Sequence, residues 1–295
     1  MIEVQSLTKR FRKTVAVENL SFKVREGAVT AFLGPNGAGK TTTLRIILGL
    51  VRATQGQATV MGKRYRDLPD PVRQVGAVLE ASSFHPGRSG RNHLRTVANA
   101  AGIASTRVEE TLALVQMTND AGRRVGGYSL GMKQRLSLAA ALLGDPKVLV
   151  LDEPANGLDP QGMRWLRELL RSLADEGRTV LISSHVLAEV EQVADEVIII
   201  HRGRFVEQAS TAELFARAGG GIRVRSPQAD RLGALLGGAG LSVKSAEGDL
   251  LVVEGSTERV GELAAANGIV LHELAAEKST LEEAFLELTE HETTR

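Results

Sequence analysis

Gly34-Pro35-Asn36-Gly37-Ala38-Gly39-Lys40-Thr41-Thr42 fits G-x-x-x-x-G-K-[ST], the pattern of a loop that cradles phosphate groups. Ahead of it, Ala28-Val29-Thr30-Ala31-Phe32-Leu33 is short and apolar and reads as a buried strand. Behind it, residues 42–50 are apolar at helical spacing. Strand, glycine loop and helix is the context this motif requires. The glycines let backbone N–H groups turn inward around a phosphate with no Cβ in the way. The helix aims the positive end of its dipole at the same anion. In such a loop Lys40 reaches the β- and γ-phosphates, and the Thr41 hydroxyl ligates magnesium. All four fixed positions are present in context, which separates this reading from a plain glycine turn.

The chain has 295 residues, enough for two domains. Apolar residues make up 43% but aromatics only 3%, so the core must be built from Leu, Val, Ile and Ala. With 36 basic against 35 acidic residues, the charge balance predicts no nucleic-acid partner and no acidic-membrane surface. There is no cysteine, which excludes disulfides and thiolate metal sites. Residues 1–10 have no apolar segment behind their charges, so no signal peptide is expected. No apolar run approaches the roughly 20 residues needed to cross a bilayer. A chain soluble by itself is expected, with any role at a membrane exercised through a partner.

Residues 2–33 alternate in the manner of strands, at 2–4, 15–24 and 29–33, with a turn at Glu26-Gly27. This predicts an antiparallel β layer leading into a first parallel strand. Phe11 sits in that layer between Arg10 and Arg12; it serves either packing or the stacking of an adenine ring. Further strands are expected at 57–61 and 75–79, and residues 81–90 read as a loop. Residues 92–118 turn rich in Ala and Leu at helical spacing, with a break near Gly102, and read as a helical insertion. A loop at 122–130 leads to a helix at 131–143. Val148-Leu149-Val150-Leu151 is a continuous apolar run, typical of a strand buried on both faces. A helix at 161–173, a strand at 179–183, a helix at 186–194 and a final strand at 197–200 follow, with Gly203 at the turn. Composition breaks at Ala218-Gly219-Gly220-Gly221, which sets the expected domains at 1–217, with the insertion at about 81–145, and 222–295. The second domain reads strand (222–226), helix (228–236), strand (241–246), strand (249–254), helix (257–267), strand (269–275) and helix (279–290). That is a small α+β unit of ferredoxin-like type.

Asp152 and Glu153 follow the buried run at 148–151, which places them at the carboxyl edge of a parallel sheet, where ligands bind in open α/β folds. Alone, such a pair is a helix N-cap feature. With a phosphate loop present, Asp152 suits the outer coordination of magnesium and Glu153 suits the general base for an attacking water. His185 ends a neighbouring predicted strand and reaches the same edge, where it can touch a γ-phosphate.

These residues together resemble the ATP-binding subunit of an ABC transporter over about residues 1–215. Gly34 to Thr42 resembles the Walker A loop, and Val148 to Pro154 resembles Walker B with its catalytic glutamate. Tyr128-Ser129-Leu130-Gly131-Met132-Lys133-Gln134 resembles the signature motif, although it departs from LSGGQ at most positions. Ser129 and Gly131 keep its hydroxyl and its close-approach glycine at a helix N-terminus. Leu158-Asp159 resembles the D-loop, His185 the switch histidine, and Phe11 the adenine-stacking aromatic. Glu80 departs from the family, which usually has glutamine there. Val78-Leu79-Glu80, then Phe84-His85-Pro86, and the tail Thr280-Leu281-Glu282-Glu283-Ala284-Phe285-Leu286 are similar to the drug-resistance and antibiotic-export branch.

The resemblance implies a P-loop nucleotide hydrolase core of α/β class, with an antiparallel β layer and a helical insertion. It implies ATP and magnesium, with Thr41, Asp152 and Glu80 as metal ligands. It also implies a dimer, of two copies or with a homologue, in which each ATP lies between Walker A of one subunit and the signature of the other. A membrane-spanning permease would dock at the insertion, near residues 80–91, leaving the chain peripheral on the cytoplasmic face of the cell membrane. The function expected is export of a drug, antibiotic or lipid-like compound. The alternative is a soluble ABC ATPase acting on nucleic acid or ribosomes; such proteins usually carry two cassettes or long coiled-coil arms, and neither is present.

Overall fold

The computed structural model describes residues 1–79, 84–217 and 221–276. Glu80, the start of the loop at 81–90 and the predicted helix at 279–290 lie outside the described residues. The chain divides into two compact units, Met1–Ser210 and the part from Thr211 onward.

The first unit runs β1 (Ile2–Phe11), β2 (Thr14–Val24), β3 (Val29–Leu33), α1 (Lys40–Ile47), β4 (Gln55–Val60), α2 (Pro71–Gln74) and β5 (Val75–Val78). It continues α3 (Gly90–Ala100), α4 (Thr106–Leu114), α5 (Leu130–Leu142), β6 (Val148–Asp152), α6 (Pro160–Asp175), β7 (Thr179–Ser184), α7 (Leu187–Val190), β8 (Glu196–His201) and β9 (Arg204–Ser210). Strands β2, β1 and β4 form the antiparallel layer in that order. In β2, Leu20, Phe22 and Val24 are buried while Ser21 and Lys23 are exposed, the alternation of a half-buried sheet. Ile2, Val4, Leu20, Phe22, Phe32, Leu44 and Ile47 share one core. Phe22 and Phe32 meet there with ring centres 5.2 Å apart.

The second sheet is six-stranded, in the order β5-β6-β7-β3-β8-β9. All its pairings are parallel except that of β8 with β9. Strands β3, β6 and β7 are buried along their whole length, which requires the continuous apolar runs seen in the sequence. This order places the ends of β6 and β7 beside the end of β3, so the two acids, the histidine and the phosphate loop arrive at one edge.

Two expectations need correction. Strand 197–200 is not the last of this sheet: Arg202 (φ 47°) and Gly203 (φ 82°) form a two-residue turn with both φ positive, and β9 returns antiparallel. Its composition, Arg204-Phe205-Val206-Glu207-Gln208, is that of a polar edge strand and carries little apolar signal. The helix expected at 186–194 is only the four residues of α7. Here Ser184 Oγ accepts from Val186 N–H at 3.0 Å, a local turn that competes with helix. The insertion is α3 and α4 on either side of Gly102 (φ 62°), followed by α5.

The second unit holds α8 (Thr211–Arg217), β10 (Ile222–Arg225), α9 (Ala229–Gly238), β11 (Val243–Glu247), β12 (Leu250–Val253), α10 (Thr257–Ala266) and β13 (Glu273–Ala276). Its sheet is antiparallel throughout, in the order β11-β12-β10-β13, the split βαβ arrangement of ferredoxin-like units. It has its own core of Ile222, Val224, Leu232, Leu236, Leu251, Val253 and Val260.

Candidate functional site

The loop from Gly34 to Gly39 is held by its surroundings as much as by its own sequence. A Cβ on Gly34 would lie 2.5 Å from the Ile200 carbonyl oxygen. One on Gly39, at φ 101°, would lie 2.5 Å from the Ala16 carbonyl oxygen. Both positions therefore require glycine. Ala38 N–H donates to the Pro35 carbonyl at 3.1 Å, and the Ala38 carbonyl accepts from Gly203 N–H at 3.0 Å. The Gly203 carbonyl in turn accepts from Glu18 N–H at 2.8 Å, so the turn before β9 braces the loop against β2. Pro35, Asn36 and Gly37 stay exposed, Ala38 is buried, and Thr41 and Thr42 are half-buried. Helix α1 has Gly39 at its N-cap and so no side-chain cap, leaving its first-turn N–H groups to face an anion.

Lys40 is buried, with its ammonium 2.6 Å from the Gly34 carbonyl and 3.4 Å from that of Pro35. It lies 3.6 Å from Glu153 Oε1. The other oxygen of Glu153 is 2.9 Å from His185 Nδ1. One carboxylate thus joins the start of α1, through Lys40, to the end of β6, through its own backbone, and to the end of β7, through His185. Glu153 has φ 48°, a left-handed conformation uncommon for a residue with a Cβ.

Asp152 is buried and accepts a short hydrogen bond from Ser183 Oγ, with which it is paired in the β6–β7 register. The same Ser183 oxygen accepts from Glu153 N–H at 2.9 Å. Sequence reasoning did not single out Ser183. Its only signal was a hydroxyl two residues ahead of His185 on a neighbouring strand. Glu189 was also missed. It lies on α7 and lines, with Glu153, Arg167, Ser183 and Ser184, a mostly apolar cleft over Leu166, Leu170, Ile182 and Val190. Burial, and then the charge of Glu153, hold the Glu189 carboxyl above its ordinary range; His185 and Arg167 pull it the other way.

The remaining predicted residues lie apart from this cluster. Ser129 caps α5, its Oγ accepting from Met132 N–H at 3.2 Å. Gly131 packs against the loop that leads to α6, where a Cβ would stand 3.1 Å from the Gly157 carbonyl oxygen. Phe11 is 47% exposed near the β1–β2 hairpin, with the Lys9 ammonium 4.6 Å from its ring centre. No helix of the described residues is long and apolar enough to cross a membrane.

The ABC transporter family profile matches residues 17–156, and a domain of unknown function, DUF8746, matches residues 220–282. The chain is 34% identical to the ABC transporter ATP-binding protein YhcH of Bacillus subtilis (strain 168) over 98% of its own length and 96% of that protein. It is 41% identical to the bacitracin transport ATP-binding protein BcrA of Bacillus licheniformis over 70% of this chain and 69% of that one. Among solved structures, the ATP-binding subunit of an ABC transporter superposes with a TM-score of 0.67 at 29% identity, covering 74% of this chain and 93% of the other. With a phosphate loop, a carboxylate pair and a histidine gathered at one sheet edge, and with likeness to YhcH along almost its whole length, the chain belongs to the ABC transporter family as an ATP-hydrolysing subunit.

Proposed function

We propose that this chain drives an exporter of a drug, antibiotic or lipid-like compound through a separate membrane-spanning permease, from a peripheral position on the cytoplasmic face of the membrane. The likeness to a bacitracin transport subunit supports the substrate class. The observation that carries the hydrolytic part is the Glu153 carboxylate between His185 and Lys40.

Lys40 turns its ammonium to two loop carbonyls and to Glu153; with ATP present it turns to the β- and γ-phosphate oxygens instead. The exposed loop N–H groups and the uncapped start of α1 hold the remaining phosphate charge. Release from Lys40 leaves one Glu153 oxygen free to take a proton from the attacking water. The other oxygen stays with His185 Nδ1, which leaves Nε2 to face the γ-phosphate. The Thr41 hydroxyl and the Asp152 carboxylate are hard oxygen donors that fit magnesium. When bound, magnesium neutralises charge that develops on the transferred phosphoryl group. Glu80 is proposed as a further ligand, on sequence alone. Phe11, exposed rather than packed away, is available to stack on adenine.

A head-to-tail dimer, of two copies or with a homologue, completes the site. Ser129 uses a lone pair on Met132 N–H, so its proton remains to donate to a γ-phosphate held by the opposite subunit, next to Gly131 at the start of α5. Leu130, 56% exposed beside them, suits a face covered on association.

Glu153→Gln tests this reading, because it keeps the shape of the side chain and removes proton acceptance. Hydrolysis should fall by about 100-fold or more. ATP should then hold the variant as a dimer in size-exclusion chromatography. A variant that remains monomeric with ATP and hydrolyses it at the wild-type rate would refute the assignment.

A further inference from the structure

We infer that Ser183 is a positioning residue for hydrolysis, its hydroxyl holding the magnesium-side carboxylate of Asp152 and the backbone of Glu153 in one arrangement. The inference rests on the roles proposed above for those two acids.

A buried serine usually satisfies itself within its own segment. Ser183 does not. It is fully buried on β7, and both its side-chain bonds cross to the end of β6. A hydroxyl has one proton, and here the proton goes to Asp152 Oδ1. That fixes which Asp152 oxygen is committed and leaves the other for the metal side of the site. The Ser183 oxygen then accepts from Glu153 N–H. This second bond restrains the one residue of the acid pair whose φ, 48°, is unfavourable for a side chain, and that turn aims the Glu153 carboxylate at His185 and Lys40. The strand ladder cannot supply either bond, because β6 ends at Asp152 and the parallel register stops at the Asp152–Ser183 pair. Both side-chain bonds of Ser183 go to the acid pair and neither to Lys40 or the phosphate loop, so its effect should spare the grip on phosphate.

Removing a buried hydrogen bond to a charged group costs enough to lower kcat by about ten- to 100-fold when the bond orients reacting groups. With the full-length protein, Ser183→Ala should show that loss with KM for ATP changed by no more than about threefold. ATP binding measured calorimetrically without divalent metal should match wild type. Mn2+ affinity of the ATP complex, followed by electron paramagnetic resonance, should weaken by about tenfold. Ser183→Thr should restore both values and Ser183→Val should not; these two share a shape, so the comparison isolates the hydroxyl even if the alanine variant folds poorly. Unchanged kcat in Ser183→Ala, equal activity in the threonine and valine variants, or a parallel loss of metal-free ATP binding would each overturn the inference. Glu153→Gln is measured alongside: if it hydrolyses normally the base assignment fails, and if it is dead while Ser183→Ala is normal only the present inference fails.

Discussion

The Lys40–Glu153–His185 contacts set one carboxylate between two cationic or protonatable groups, and Glu189 adds a second acid close by. Its carboxyl sits in a mostly apolar cleft beside the like charge of Glu153, and both effects favour the protonated form. The folded-state pKa therefore lies above the ordinary 4.5. Native protein then binds this proton more tightly than unfolded chain, so the group lowers stability as pH rises through that window and has no such effect below it. Glu189→Gln should accordingly raise Tm at pH 7 and leave it unchanged at a pH of about 4, below the ordinary carboxylate value. A Tm difference that is the same at both values would mean that packing, not charge, sets the effect. At this scale Lys40, Asp152, Glu153 and His185 were legible because each follows a recognisable run in sequence. Ser183 and Glu189 were not, since their roles depend on which strand lies next to which and on a register that no local pattern encodes.

Elements differ in how well the sequence announces them. The strands β3, β6 and β7 stand out as apolar runs because both their faces are covered. Strand β9 escapes notice because an edge strand needs apolar residues on little of its surface, and its best signal is the Arg202-Gly203 turn. Helix α6 is plain from its ends: Asp159 is the N-cap and Pro160 the first helical residue. Asp159 Oδ1 accepts from Gly162 N–H at 2.7 Å, and Trp165, Leu166, Leu169, Leu170 and Leu173 bury the face behind. Asp159→Ala should therefore cost about 1 kcal/mol of stability in the isolated chain, read as a shift in urea midpoint with unchanged slope. An unchanged midpoint would show that the cap is not what holds the start of α6. The same residue lies in the stretch that resembles the D-loop, so a loss of activity larger than this stability effect would point to a second role at the proposed dimer interface.

The molecule as a whole consists of two units, and only the first contains the groups assigned to ATP. Every residue placed at the phosphate loop, the acid edge or the signature precedes Arg204. The second unit buries Ile222, Val224, Leu232, Leu251 and Val253 among themselves, so it does not borrow the first core. Because every group assigned to ATP precedes the cut, a chain cut after about Gly221 should fold and bind ATP within about twofold of the full-length value, the spread of independent effects. The position of the cut matters, for a reason the strand at 197–200 did not reveal. Strand β9 pairs along β8, whose Val197, Ile198, Ile199 and Ile200 are all buried. Gly203, at the turn before it, is also the residue whose N–H supports the Ala38 carbonyl of the phosphate loop. A chain ending at Gly203 would leave β8 as an unprotected apolar edge, which is a template for aggregation. It should therefore precipitate or elute in the void volume, whereas the chain ending near Gly221 should elute as a defined species. Nucleotide titration and size-exclusion chromatography on the two truncations, beside the intact chain, separate the cases. If the longer fragment is folded yet fails to bind ATP, the second unit contributes to the site and the division of labour between the units is wrong. If the shorter one is soluble and binds normally, β9 is dispensable both for protecting the β8 edge and for the phosphate loop.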